Sequence, residues 1–452
     1  MNKIKFIIMS LLGIFLFMVP LRYGDGRLNI PLGHAISWLG RTINQVEVNG
    51  HGLLVLIGAI IITLSFLCSV FAYVFKPKFI MESEKLRGLF HCNIVYFVSK
   101  AIAAVLVWLV FFGIGPDWLI GWDGGTLMLV ELIGGGSALI AIFLVVGIAI
   151  PILIDFGLME FLGTLIRKAM RGLFTLPGRS SIDLIGSWFS SSAASVIITR
   201  DQHERGFYTG REAAAICVNF TLVSLPFTFV VAGTIDMLPH FGMFYLVICI
   251  TAILLAILMP RIWPLRGIKD EYLPEVGKQI QEEPQTNRSL FSQAVGLAEE
   301  RASKTGVVDV IKAGASNWLN IFMDLIPVIM AWGTIALVIN FQTPIFEWLS
   351  WPFGQLMRLF QIEQAMEFAP AVIVGFIDMF IPALLLEAGD APFNTRFIIG
   401  ALSIVQIIYL AETGILILKS KIPLNIGHLF IIFLMRTLFA LPIIVLLTWL
   451  IF

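Results

Sequence analysis

Charge is what this sequence has least of. Of its 452 residues 13% are charged and 58% hydrophobic, against about a quarter charged in an ordinary soluble domain. The balance excludes a water-soluble globular chain and points to a membrane protein. Lysine plus arginine and aspartate plus glutamate number 30 each, so the basic excess of a nucleic-acid partner is missing too. Cysteine is scarce: Cys68, Cys92, Cys217 and Cys249 are scattered, with no CxxC pair or metal-ligand spacing, and read as buried small hydrophobes. The sequence has no phosphate-binding Gly-Lys loop and no HExxH. His91, His203, His240 and His428 are dispersed, so neither an ATPase nor a soluble enzyme is expected, and no cofactor or metal is called for.

Long apolar runs are abundant. A spanning helix needs about 20 mostly apolar residues, and nine segments qualify: 5–21, 52–75, 93–115, 126–154, 208–233, 241–262, 318–340, 396–417 and 424–451. The first follows Lys3 and Lys5, lacks a small-x-small cleavage site and leads into Arg22, which favours an uncleaved span over a signal peptide. Segments 30–46, 156–172, 181–199, 345–361 and 367–388 are apolar but too short or interrupted to cross. Two of them, 156–172 and 345–361, separate apolar from polar faces, as helices lying in the interface plane do.

Basic residues set the direction. Lys76, Lys78, Lys85 and Arg87 follow span two, Arg167, Lys168, Arg171 and Arg179 follow span four, and Lys419 and Lys421 follow span eight. Loops 114–125 and 234–240 contain no lysine or arginine. An N-terminus inside and a C-terminus outside puts most basic clusters in the cytoplasm of a bacterial-type inner membrane. Arg22, Arg27, Arg41, Arg358 and Arg396 are the exceptions.

The chain also resembles itself. Glu131-Leu132-Ile133 matches Asp324-Leu325-Ile326, and Pro151-Ile152 matches Pro344-Ile345, both 193 residues apart. Gly163-x-Leu165-Ile166-Arg167 matches Gly354-x-Leu356-Met357-Arg358 at 191, Gly186 matches Gly375 at 189, and Arg211 matches Arg396 and Gly242 matches Gly427 at 185. The offset declines without reversing, as loop deletions between duplicated elements would make it. The expected fold is an all-α polytopic membrane protein. Scaffold helices occupy 1–125, one repeat 126–262, a cytoplasmic linker 263–317 with an amphipathic helix near 289–304, and a second repeat 318–452. Counting spans makes the repeats inverted, each with a re-entrant hairpin (181–199 and 367–388). Irregular backbone at membrane depth survives only inside protein or beside a wet cavity, and broken helices aim their terminal dipoles at a solute or ion.

With the segments placed, the chain resembles the YjiH family of membrane proteins, which carry nucleoside recognition, or Gate, domains. The likeness is strongest in GSWFSSSAASVIITRDQHERGFYTGREAAAICVNFTLVSLPFTFVVAGT (186–234), above all Tyr208-Thr-Gly-Arg-Glu-Ala-Ala214. The wider Gate group includes concentrative nucleoside transporters, ferrous-iron permeases and spore-maturation proteins. Resemblance to the nucleoside carriers implies cation-coupled elevator transport, with the solute between the hairpins. The iron permeases carry Gly-Cys in the Gate hairpin; here Ser187 follows Gly186 and Phe376 follows Gly375, a departure from that pattern.

Polar residues inside spans are the candidate site. The first hairpin offers Ser190, Ser191 and Ser192, which either let two arms pack closely or coordinate a solute or Na⁺. Asn219, Thr221 and Ser224 precede Pro226, which frees a carbonyl near Leu222; for Asn219 the alternatives are binding and an interhelical hydrogen bond. In the second repeat stand Asp378, Gln406, Tyr409 and Glu412, with Gln406, Tyr409 and Thr413 expected on one helix face. Asp378 or Glu412 could bind a solute amine or hydroxyl, or a coupling Na⁺ or H⁺. Either could instead pair with Arg436, at the position matching Thr251. Glu131 and Asp324 would cap the adjacent hairpins or couple a cation, and Lys100 is expected to snorkel to the interface. The readings that follow are a secondary transporter of an amino acid, dipeptide, amine or nucleoside, a non-transporting membrane scaffold, or a divalent-metal permease. The expected partners are the bilayer, a small solute and a second copy of the chain, with no nucleic acid.

Overall fold

The computed structural model describes residues 2–23, 27–121, 139–178, 180–181, 184, 192–220, 224–278 and 289–452. The chain is mainly helical, with two small antiparallel ribbons, β1 (Leu21–Tyr23) with β2 (Arg27–Asn29) and β3 (Glu47–Val48) with β4 (His51–Gly52). They are a small departure from the all-α expectation. Both lie in polar connections, where strand pairing satisfies backbone groups that no helix covers.

Helix α1 (Asn2–Met18) leads through β1 and β2 to α2 (Pro31–Ile43), within the segment judged too short to cross. Helix α3 (Leu53–Phe75) begins where Asn44 Oδ1 accepts from Leu54 N at 2.9 Å, and ends at Lys76 in a left-handed conformation just before Pro77. Helix α4 covers Ile94–Phe111 and α5 covers Leu139–Ile154. The chain then bends by 56° into α6 (Leu158–Phe174). The bend needs Gly157: its φ is +103°, and a Cβ there would lie 2.5 Å from the Ala298 carbonyl oxygen, so no other residue fits.

Helices α7 (Ser192–Glu204), α8 (Gly210–Asn219), α9 (Leu225–Thr234) and α10 (Phe241–Leu258) follow. The expected amphipathic linker helix is α11 (Leu290–Lys304). It buries Ala298 and Ala302 with Phe6 of α1, and Phe161 of α6 packs between Phe6 and Phe291, tilted on the first and edge-on to the second.

The next helix starts eleven residues before the expected apolar run. Gly306 and Asp309 form a cap, so α12 spans Val307–Gln342, with a π-helical turn at Ile321–Leu325. Helix α13 (Ile345–Leu359) packs on α14 (Ala365–Val374), which turns back into α15 (Ile381–Ala388). Helix α16 (Phe393–Gln406), a second π turn (Leu410–Gly414) and α17 (Ile426–Ile451) close the chain.

Among the described residues five helices are long and apolar enough to cross a membrane, or six if the bent pair α5 and α6 counts as one span. Their outer faces expose residues such as Val74, Phe75, Ile94 and Leu450. Water would penalise that belt at about 25 cal/mol per Å², and lipid would not. One apolar core runs through α5, α8, α9, α10, α14, α15, α16 and α17.

Candidate functional site

Two helices stop inside this core. Helix α8 starts on a reciprocal cap, in which Thr209 Oγ1 accepts from Glu212 N at 3.1 Å and Glu212 Oε2 accepts from Thr209 N at 2.9 Å. It ends at buried Asn219, and the next described helix begins at Leu225. Helix α16 ends at buried Gln406, and Ile407 then takes φ +66°. A β-branched residue at positive φ is a genuine outlier, of the strained kind that clusters at functional sites.

The second break is stitched to a hairpin. Between α14 and α15 the chain is non-helical over 375–380, and Leu410 N, just past the break, donates to Phe376 O at 2.8 Å. Gln406 Nε2 donates to Val372 O at 3.1 Å and to Thr437 Oγ1 at 2.9 Å. A Cβ on Gly375 would collide with Gln406 Oε1, so glycine lets the hairpin reach the break. Phe376 packs on Phe430 and Phe433 of α17, at centroid distances of 5.1 and 5.2 Å.

Arg436 joins the two breaks. Its side chain is 0% exposed. Nε and Nη2 donate to Val405 O at 3.0 and 2.7 Å, and Nη1 donates to Val218 O at 3.0 Å and Asn219 Oδ1 at 2.7 Å. Val218 and Val405 lie in the last turns of α8 and α16, whose terminal carbonyls have no partner within their own helix. The expected pairing with Asp378 is therefore corrected. Asp378 Oδ1 accepts instead from Phe380 N at 2.8 Å, capping the entry to α15.

Other expected positions also move. Gln406, Tyr409 and Thr413 do not share a helix face, because the backbone is non-helical from 407 to 409; Thr413 Oγ1 donates to Tyr409 O at 3.2 Å. Tyr409 is buried beside the break. Ser224 is half-buried at the start of α9 and accepts through its carbonyl from Thr228 Oγ1 at 3.1 Å. Glu131, Ser190, Ser191 and Thr221 lie outside the described residues, as do the side chains of Ser192 and Glu412.

Among the described residues Asp324 caps no hairpin. It sits on the π turn of α12, with Oδ1 3.5 Å from Lys100 Nζ. Lys100 does not snorkel either: it is 0% exposed, donates to Leu89 O at 2.7 Å and lies 5.9 Å from the Phe90 ring centroid. Ser65 of α3 donates to Met323 O, so α3 and α4 both grip this turn. Its widened geometry presents a carbonyl that a regular helix would use internally. Sequence reading passed over Lys100 because a lysine two turns inside an apolar helix looks within reach of the interface.

Arg396, which matches Arg211 in the first repeat, was not proposed as a site residue. It donates to Asp236 Oδ2 at 3.2 Å, Asp390 Oδ1 at 2.6 Å and Ala391 O at 2.5 Å, tying the α9–α10 connection to the end of the hairpin. The signal available was an arginine in the exterior position that orientation by basic loops disfavours.

A family model described as Gate, nucleoside recognition, matches residues 137–238. Over 448 residues the chain is 43% identical to Uncharacterized protein BpOF4_10220 of Alkalihalophilus pseudofirmus, covering 98% of this chain and 94% of that one. The chain belongs to the YjiH-like Gate-domain membrane proteins. Two solved structures of CNTnw align along nearly the whole chain. The outward-facing double variant covers 99% of this chain and 100% of its own, at 15% identity and TM-score 0.43. The inward-facing, substrate-bound form covers 98% of each, at 16% identity and TM-score 0.41. At such values a shared overall fold does not follow.

Proposed function

We propose that this Gate-domain protein is a secondary transporter. It carries a small polar solute, such as an amino acid, dipeptide, amine or nucleoside, across a bacterial cytoplasmic membrane, driven by a cation gradient. In this reading nine spans, N-terminus inside, form two inverted repeats at 126–262 and 318–452 beside a scaffold at 1–125. Ser190, Ser191, Ser192, Asn219, Thr221, Ser224, Asp378, Gln406, Tyr409 and Glu412 line the solute path, and Glu131 and Asp324 serve coupling. The scaffold helices provide any contact with a second copy.

One observation carries the proposal: α8 and α16 end at one buried point, and the break after α16 is hydrogen-bonded to a hairpin through Leu410 and Phe376. Helices broken at membrane depth supply polar backbone where a solute must shed water. A purely structural bundle has no need of two such breaks.

The test is uptake of a broad solute panel into proteoliposomes, with and without imposed Na⁺ and H⁺ gradients. Accumulation of one solute class with one gradient is expected. Protein that is folded yet moves none of the panel under any gradient would sink the proposal.

A further inference from the structure

A buried guanidinium must have its charge answered, because an isolated ion in a medium of low dielectric is prohibitively costly. At Arg436 main-chain and amide oxygens answer it. Among the described residues its four hydrogen bonds go to Val405 O twice, Val218 O and Asn219 Oδ1. Two of these acceptors end α8 and one ends α16. A helix C-terminus carries about half a negative charge, so two such ends converging on one point present roughly one unit. One guanidinium neutralises that unit.

Main-chain carbonyls at helix C-terminal ends, joined by an amide oxygen, are also the ligands with which interrupted membrane helices hold monovalent metal cations. We infer that the Arg436 guanidinium is a resident cation in such a site, so that the point where the ends of α8 and α16 meet Arg436 binds no Na⁺. The guanidinium suits the place better than an ammonium would. Its planar fork reaches Val405 on one side and Val218 with Asn219 on the other.

The arrangement is one-sided, as a single charge requires. In the first repeat the matching position is Thr251, uncharged and fully buried, with its hydroxyl unpartnered among the described residues. The resident charge also ties α8, α16 and α17 together whatever the ion gradient. A Na⁺ gradient therefore does no work at this point, and a driving cation acts elsewhere on the protein. The inference goes beyond the transport reading and is tested by stability alone, so the failure of one is separate from the failure of the other.

The experiment is thermal unfolding of the full-length protein in detergent, in NaCl, KCl and choline chloride at equal ionic strength. Wild type is expected to unfold at the same temperature in all three. Arg436→Ala should unfold at least about 5 °C lower in choline, and regain much of that loss in Na⁺ or in millimolar guanidinium. Arg436→Lys keeps the charge and should unfold below wild type with no response to Na⁺. It decides the matter if the alanine variant does not fold. Three results would overturn the inference: wild type stabilised by Na⁺ in a way that Asn219→Ala abolishes, Arg436→Ala indifferent to both Na⁺ and guanidinium, or Arg436→Lys stabilised by Na⁺.

Discussion

Lys100 Nζ and Asp324 Oδ1 face each other at 3.5 Å across the contact between α4 and the π turn of α12. Lys100 is fully buried and Asp324 half-buried, so removing the aspartate leaves a buried ammonium uncompensated, at a cost of up to about 3–5 kcal/mol. Asp324→Ala is therefore expected to lower the unfolding temperature sharply. The double variant Lys100→Met/Asp324→Leu should recover most of that loss. Thermal unfolding of the two singles and the double checks this, and additive losses would show that the pair is not coupled.

Gly375 is where the hairpin meets the break in α16. A methyl group there collides with Gln406 Oε1, so Gly375→Ala should cost about 1–3 kcal/mol by overpacking. In a Gln406→Ala background the space is vacant and the same change should cost much less. A double-mutant cycle on unfolding temperature measures the difference, and equal costs in both backgrounds would place the collision elsewhere.

Asp378 combines a capping contact with a charge, and two substitutions separate them. Asparagine keeps the acceptor for Phe380 N, so Asp378→Asn should unfold close to wild type. Asp378→Ala should lose about 1 kcal/mol. Under the transport proposal, Asp378→Asn should nevertheless reduce uptake at least about tenfold, an activation difference near 1.4 kcal/mol. Unchanged uptake in the asparagine variant would confine Asp378 to capping.

Outside the spans, Lys421 Nζ donates to Glu275 Oε2 at 2.8 Å, tying the 263–316 loop to the turn before α17. The hydrogen bond and the lysine charge hold the Glu275 carboxyl below its usual range, and the same bond holds Lys421 above its own. The lowered carboxyl contributes stability at neutral pH that is lost as pH falls through its folded-state value, on the acid side of an ordinary glutamate. The raised lysine contributes stability that is lost as pH rises through its folded-state value, on the alkaline side of an ordinary lysine. The small stability difference between wild type and Lys421→Met should thus appear at neutral pH and fade at both extremes. A difference undiminished in both acid and alkali would mean the pair is not its source.

Much of the helical layout was legible because lipid imposes a length and a polarity on whatever crosses it. Long runs such as 52–75 and 424–451 became α3 and α17 with almost unchanged limits. The face-separated segments 156–172 and 345–361 became α6 and α13, since a 3.6-residue period is a local property. Family membership was legible in Tyr208–Ala214 for the same reason: a motif is carried by neighbours in the chain.

Tertiary structure alone decided where the helices break and what meets there. Pro226 announced one interruption, but nothing in the residue types around Ile407 announces the other. That break exists because the hairpin offers Phe376 O and Val372 O to groups the helix gives up. Sequence displays carboxylates, and Asp378 and Glu412 were the partners it offered for Arg436. Among the described residues its acceptors are the carbonyls of Val218 and Val405 and the Asn219 amide. Every residue has a carbonyl, so only the folded backbone determines which ones are left without a helical partner and where they point.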